Sequence, residues 1–229
     1  MHGLGKMADL LWLNVLTLLC CIPIVTIGAS LTAMNYMALK IARNEECYIA
    51  RGFFKSFREN FRQGTLIGLI FLAVFLVLAV DFYIMQNSDI QFSSVLQIII
   101  GVVGVLVLFT AVFVFPVLAK FDNTVINTIK NAFFMSIMQF PKTILMILLY
   151  IAPIALFIFF FEIAPLTFLF GLSVPAWLSA KLYSRFFQKL EDQILERNSV
   201  NSDEEEGGED ERIFRDELDE SLMTGQNGQ

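Results

Sequence analysis

Polar and small residues recur inside an otherwise apolar stretch near the beginning of the chain. Asn14, Cys21, Gly28 and Asn35 follow one another at intervals of seven residues, so on one continuous helix they would lie along a single side. Amide and hydroxyl groups in such a strip can hydrogen-bond to neighbouring helices, or they can bind a solute inside a membrane. The candidate residues for this polar packing or solute face are Asn14, Thr26, Gly28, Ser30 and Asn35.

A second group of residues, just beyond this stretch, could bind phosphate groups of lipids. Phe54, Phe57 and Phe61 recur at helical spacing, and basic residues recur on an adjoining face. A helix with this pattern lies in the headgroup region, with its rings among the acyl chains and its cations towards anionic lipid. Neighbouring membrane spans favour lipid over nucleic acid as the partner. The candidate lipid-headgroup contacts are Arg51, Lys55, Arg58 and Arg62.

Catalysis needs titratable groups that converge, and the sequence offers few of them. The single histidine and the three cysteines do not form a metal-ligand spacing. The chain contains no phosphate-binding loop, nucleophile elbow or dinucleotide-binding fingerprint. Carboxylates inside a membrane are candidate functional groups, but the three here fall near the ends of apolar stretches, where water can reach them: Asp81, Asp122 and Glu162. The sequence therefore predicts no catalytic residue, metal or cofactor, and no enzymatic activity.

The composition is typical of a protein that crosses a membrane several times. Hydrophobic residues make up 56% of the 229 residues, charged residues make up 17%, and the mean hydropathy is +0.66. The charge is unevenly divided, with 13 Lys and Arg against 8 Asp and Glu in residues 1–190, but 3 against 14 in residues 191–229. Residues 1–190 are predicted to form a membrane helical domain, and residues 191–229 a largely disordered acidic tail.

The apolar segments predict an all-α, polytopic membrane bundle with five spans. The predicted spans are 7–40, 65–83, 95–119, 143–161 and a last one that continues to about 180. Amphipathic helices are predicted in the two connections that carry most of the basic residues, with 6 Lys and Arg in 40–63 and 3 in 120–142. No Lys or Arg occurs in 86–94 or 162–164. The positive-inside rule therefore places both amphipathic helices and the C-terminus in the cytoplasm.

The first predicted span leaves the topology open, because Pro23 and Gly28 interrupt it. A single crossing gives five spans and an external N-terminus. A hairpin at Pro23–Gly28 gives six spans and returns Lys6 to the cytoplasm, but each half then has only about 15 residues, which is short for a crossing. The sequence favours five spans and keeps six as the alternative.

An internal repeat links the two connections. Four residues match four others at a constant offset of 80: Lys40, Phe53, Phe54 and Ser56 match Lys120, Phe133, Phe134 and Ser136. Each unit consists of the end of one span, an amphipathic helix and the next span, so the two halves would be parallel repeats. A shared lipid-interface composition is the alternative explanation.

Several segments also carry a family resemblance. They are residues 5–10, Asn14, the Pro-Ile-Val-Thr-Ile-Gly-Ala-Ser segment at 23–30, Ala33, Tyr36, Lys40 and residues 51–57. In these segments the chain resembles the YesL family of bacterial integral membrane proteins, over roughly residues 5–190. The resemblance implies a multi-pass protein of a bacterial plasma membrane, in a setting of carbohydrate uptake or utilisation. It implies no defined activity and no catalytic residues.

Two functions remain open at this point. The favoured one is an accessory or interaction protein linked to carbohydrate uptake or utilisation, with the anionic lipid bilayer and a sugar ABC transporter or sensor kinase as partners and no nucleic acid. The alternative is a small transporter or permease-like protein with its site at the broken first span.

Overall fold

The computed structural model describes residues 3–45, 48–87, 93–121, 123–159, 162 and 164–193, and all regular structure in these ranges is helical. The chain divides into two compact units, Met1–Ser184 and Arg185–Gln229. In the second unit, residues 185–193 are helical. The predicted acidic tail lies outside the described residues from position 194 onward, as does Asp122.

The first unit is built from helices joined by short connections, and four of them are long and apolar enough to cross a membrane. In order they are α1 Gly3–Cys21, α2 Ile27–Ala42, α3 Ile49–Glu59, α4 Phe61–Asn87, α5 Ser94–Lys120, α6 Val125–Met138, α7 Phe140–Phe159, α8 Ala164–Phe170 and α9, which covers 173–184. The four candidate spans among the described residues are Ile24–Ala42, Phe61–Asn87, Ser94–Lys120 and Phe140–Phe159. The prediction of an all-α protein with membrane-type helices is confirmed, whereas the total of five or six spans stays a prediction.

The opening stretch is not one continuous helix, because it breaks at Pro23 as the sequence indicates. Pro23 has no backbone N–H to continue α1, and a single 3₁₀ turn, Ile24–Thr26, leads into α2. Thr26 stabilises the break, since its hydroxyl donates to the carbonyl oxygens of Cys20 at 2.6 Å and Pro23 at 2.8 Å. The bond to Cys20 uses a carbonyl group that the end of α1 leaves without a helical partner, and the bond to Pro23 adds to the backbone bond from Thr26 N at 3.0 Å.

The chain reverses at this break, so that α1 and α2 form a hairpin. The two helices pack against each other. Lys6, near the beginning of α1, donates a hydrogen bond from Nζ to Oδ1 of Asn44, just past the end of α2. This is the form that the six-span alternative requires of the opening stretch.

Asn44 follows the end of α2 in a left-handed backbone conformation. Its φ of 59° lies in the left-handed region, which Asn tolerates better than most residues. Two backbone bonds then close the helix end, from Asn44 N to Ile41 O at 3.2 Å and from Glu45 N to Lys40 O at 3.0 Å.

Helix α2 is the packing centre of the first unit. Of its 16 residues, 11 are buried, and it packs against α1, α3, α4 and α5. By contrast, α4, α5 and α7 expose many large apolar side chains. An apolar surface of this extent is unusual for a protein in water and is what a lipid environment accommodates.

Helices α3 and α6 occupy the two basic connections and join the following helices in the same way. A single carboxamide residue separates each from its successor, Asn60 before α4 and Gln139 before α7. The paired rings Phe53–Phe54 and Phe133–Phe134 meet edge-on, with centroids 5.7 Å and 6.0 Å apart. Ser56 and Ser136, also matched by the repeat, are both buried. The structure thus has a local counterpart for the repeat that the sequence predicts.

The last predicted span is also divided. Helix α8 ends at Phe170, Gly171 and Leu172 form a turn, and α9 begins at residue 173. Pro175 lies in the first turn of α9, where its missing N–H is tolerated. The last predicted span is therefore interrupted at Gly171 and Leu172.

The hairpin makes a topology prediction. A reporter fused to the N-terminus is expected to lie on the same side of the membrane as one inserted between α2 and α3, because Lys6 and Asn44 are in contact. Paired alkaline phosphatase and fluorescent-protein fusions measure this directly. Reporters active on opposite sides would contradict the hairpin and restore the single crossing.

Candidate functional site

Asn14 holds together the break between α8 and α9. Its side chain is fully buried, with an exposed fraction of 0%. Its Nδ2 donates to the carbonyl oxygen of Phe168 at 2.8 Å, and its Oδ1 accepts from the backbone N–H groups of Leu172 at 3.0 Å and Ser173 at 3.1 Å. A broken helix leaves such groups without helical partners, and in an apolar environment each unpaired group is costly. The Asn14 amide therefore has a structural role here.

Gly28 allows α2 and α4 to cross with their backbones in contact. A Cβ atom at position 28 would overlap the carbonyl oxygen of Gly64. A Cβ at Gly64 would lie 2.9 Å from Cα of Ala29, and one at Gly68 would lie 2.9 Å from Cα of Gly28. Real Cβ atoms essentially never come this close to backbone, so all three positions require glycine at this crossing. Gly28 is a packing residue.

The two remaining members of the predicted polar face, Ser30 and Asn35, lie inside α2. Ser30 is fully buried beside the thiol of Cys21. Asn35 donates from Nδ2 to the Leu31 carbonyl oxygen of its own helix at 2.8 Å, and its buried Oδ1 has no hydrogen-bond partner among the described residues. Asn35 therefore contributes less than Asn14 to holding helices together.

The five residues of the predicted polar face do not share one side of one helix. Asn14 belongs to α1, Thr26 lies at the break, and Gly28, Ser30 and Asn35 belong to α2. The seven-residue spacing would align Asn14, Gly28 and Asn35 only on a continuous helix, and the reversal at Pro23 separates Asn14 from the other two. The spacing of Gly64 and Gly68 predicts a close helix crossing from sequence. What sequence reasoning did not find is that Gly28 is the partner of this pair and that Asn14 binds the α8–α9 break.

The four predicted lipid contacts form an exposed basic face on α3 and the beginning of α4. Arg51, Lys55, Arg58 and Arg62 are all exposed. On the opposite side of α3, Phe53 is fully buried. Lys55 lies 3.9 Å from Glu59, but both side chains are mostly in solvent, where such a pair contributes little. The Phe54 and Phe61 rings are exposed beside this face, whereas Phe57 is half-buried and contacts Phe53 and Phe61.

This basic face makes a second prediction. Replacing Lys55, Arg58 and Arg62 with Gln is expected to weaken anionic-lipid binding, because each cation near an anionic surface contributes about 1 kcal/mol. The loss should shrink at high salt, which screens exposed charges. Competition between phosphatidylglycerol and phosphatidylcholine for the reconstituted protein, at low and high ionic strength, measures it. The triple variant and the native chain should bind phosphatidylcholine equally, and equal preference for phosphatidylglycerol would contradict the assignment.

The cavities beside the helices are almost entirely apolar. Two lie against the α8–α9 break, have volumes of about 250 Å³ and 310 Å³, and share Pro153, Thr167 and Gly171. Two more lie between α4 and α5, with volumes of about 280 Å³ and 410 Å³, and Asp81 is the charged residue in their walls. Glu162 is exposed, and no group of His, Cys, Asp and Glu suited to a metal ion occurs among the described residues.

The described helices define an all-helical protein with four helices able to span a membrane. Residues 9–82 match the model of a family described as "Protein of unknown function, DUF624". The matched part runs from α1 into α4, so it includes the opening hairpin, the Gly28 crossing and the basic face of α3. No curated protein and no solved structure matches the chain.

Proposed function

We propose that this chain is an integral protein of a bacterial plasma membrane that acts through contacts with membrane proteins and anionic lipid, as an accessory protein in carbohydrate uptake or utilisation. A sugar ABC transporter or a sensor kinase is the proposed protein partner. The carbohydrate setting rests on the resemblance to the YesL family, and the match to a family of unknown function is compatible with it. The chain is proposed to have no enzymatic activity and to keep α3, α6 and its C-terminus in the cytoplasm.

One observation carries the proposal: Asn14, Thr26 and Gly28 of the opening hairpin are used for packing. Asn14 binds three backbone groups of the α8–α9 break, Thr26 binds two carbonyl groups at its own break, and Gly28 contacts the backbone of α4. A sugar pathway needs polar groups that remain available to hydroxyl groups. Groups engaged in this way support a rigid packing core and leave the outer surfaces of the helices for partners and lipid.

The test compares partner binding with transport by the chain alone. Reciprocal purification of the tagged full chain and a tagged sugar-transporter subunit or sensor kinase from native membranes is expected to recover both proteins. Liposomes that contain only this chain are expected to show no flux of labelled sugars. Flux without a partner would overturn the proposal.

The transporter alternative has one observation in its favour. The α8–α9 helix breaks beside apolar cavities, and transporters commonly bind their substrates at broken helices. The apolar lining suits an apolar or amphipathic solute rather than a sugar. Flux of an amphipathic solute into liposomes that contain only this chain would favour this alternative.

A further inference from the structure

An apolar groove with a carboxylate in its wall lies between α4 and α5, and we propose that it binds a cationic amphiphile, an alkyl chain with an ammonium group at one end. The alkyl chain would lie in the groove and the ammonium group beside Asp81. The site is separate from the opening hairpin and goes beyond the function proposed above.

The groove consists of two adjoining cavities that share part of their walls. Val74 of α4 and Val103 of α5 line both of them. The cavity of about 410 Å³ contains Asp81, and the cavity of about 280 Å³ reaches Ile129 and Phe133 of α6. Apart from Asp81 and the Thr110 hydroxyl, the groove is lined by apolar side chains. This lining favours hydrocarbon and excludes ligands that need many hydrogen bonds.

The length of the groove suits one alkyl chain. Ile70 and Asp81 both line it and are 11 residues apart on α4. At a helical rise of 1.5 Å per residue, they are separated by about 16 Å. One leaflet of a bilayer has a hydrocarbon thickness of about 15 Å, half of the 30 Å core. The groove can therefore hold a chain that extends from the interface to the middle of the bilayer.

Asp81 supplies a negative charge that this part of the chain does not balance. It lies six residues before the end of α4, about one to two turns in from the helix end, and it is half-buried. It forms no ion pair with any described residue. Residues 63–119 contain no Lys, Arg or His, and the cations of α4 and α5, Arg62 and Lys120, lie at the opposite ends of these helices from Asp81. A half-buried carboxylate beside an apolar groove is stabilised by a partner of opposite charge, which an ammonium group in the groove would supply.

Binding of three probes with the same twelve-carbon chain tests the proposal. The full chain is reconstituted in phosphatidylcholine nanodiscs and titrated with dodecylammonium, dodecanoate and dodecyl maltoside, with empty nanodiscs as the background. Saturable binding of dodecylammonium alone is expected. Asp81→Asn should weaken it about ten-fold or more, because a hydrogen bond to a charged group is lost. Val103→Phe, which fills the groove where the cavities join, should weaken it as well.

Glu59→Gln is the matched control, because it makes the same carboxylate-to-amide change on an exposed residue outside the groove. It should bind dodecylammonium as the native chain does. Melting temperatures show that each variant is folded. Unchanged dodecylammonium binding by folded Asp81→Asn would overturn the assignment of the carboxylate. Equal binding of the neutral or anionic probe would show that the groove takes any lipid chain and would overturn the proposal.

Discussion

Replacing Gly28 with alanine is expected to destabilise the protein strongly. The added Cβ would overlap the Gly64 carbonyl oxygen, and backbone cannot move aside as the end of a flexible side chain can. We expect the free energy of unfolding to fall by about 3 kcal/mol, the upper end of the range for overpacked cores. Denaturant titration in mixed micelles measures the change. Gly64→Ala and Gly68→Ala should act in the same direction, because each would place Cβ 2.9 Å from the backbone of α2.

Gly101→Ala is the matched control for this prediction. Gly101 lies within α5, and a Cβ built there meets no atom within 4 Å. Since alanine favours helix by about 1 kcal/mol over glycine, the variant should be as stable as the native chain or more stable. Equal effects of Gly28→Ala and Gly101→Ala would contradict the close α2–α4 crossing.

Replacing the two buried asparagines of the opening hairpin with leucine is expected to change the free energy of unfolding by very different amounts. Asn14→Leu removes the partner of three backbone groups at the α8–α9 break and leaves them unpaired among apolar side chains. Buried unpaired groups are costly, so we expect a loss of about 2–4 kcal/mol. Asn35→Leu removes only a bond within its own helix, together with a buried oxygen that has no partner among the described residues. Its stability should change by less than about 0.5 kcal/mol or should increase.

The variants Asn14→Leu and Asn35→Leu also distinguish a packing role of the two amides from a solute-binding role. Both variants are made in the full chain and compared by the same denaturant titration. A protein that uses both amides to bind a solute would tolerate Asn14→Leu structurally and lose transport in both variants. Similar stability of Asn14→Leu and the native chain would contradict the contact that we assign to Asn14.

The position of the break in the opening stretch could be predicted from sequence, because proline lacks the N–H that continues a helix. The reversal of the chain at that break could not. The mean hydropathy of the opening stretch is the same whether it forms one broken crossing or a hairpin, so it does not distinguish the two. Each half is also short for a crossing. The hairpin rests on packing between α1 and α2 and on the contact of Lys6 with Asn44, 38 residues away, which no local sequence pattern shows.

The contacts of the candidate site residues could also be predicted only in part. The sequence indicates that the side chain of Asn14 needs hydrogen-bond partners, because an amide in an apolar segment must be paired. Its partners are 154 to 159 residues away and become available only because α8 breaks beside α1. The spacing of Gly64 and Gly68 occurs often by chance. It marks a close helix crossing here because Gly28 of α2 packs against both residues. The exposed basic face of α3 needed only helical periodicity, so local sequence was sufficient there.

The proposed function requires that the polar and small residues of the opening hairpin are packed against protein and do not line a solute path. Labelling of Ser30→Cys by a water-soluble maleimide tests it directly, in a chain whose native cysteines are replaced by alanine. Ser30 is fully buried, whereas Ser94 at the beginning of α5 is exposed and provides the positive control as Ser94→Cys. If the opening hairpin is packed against protein, position 94 is expected to be labelled rapidly and position 30 only after the protein is denatured. Labelling of the folded protein at position 30 at a rate close to that at position 94 would contradict it.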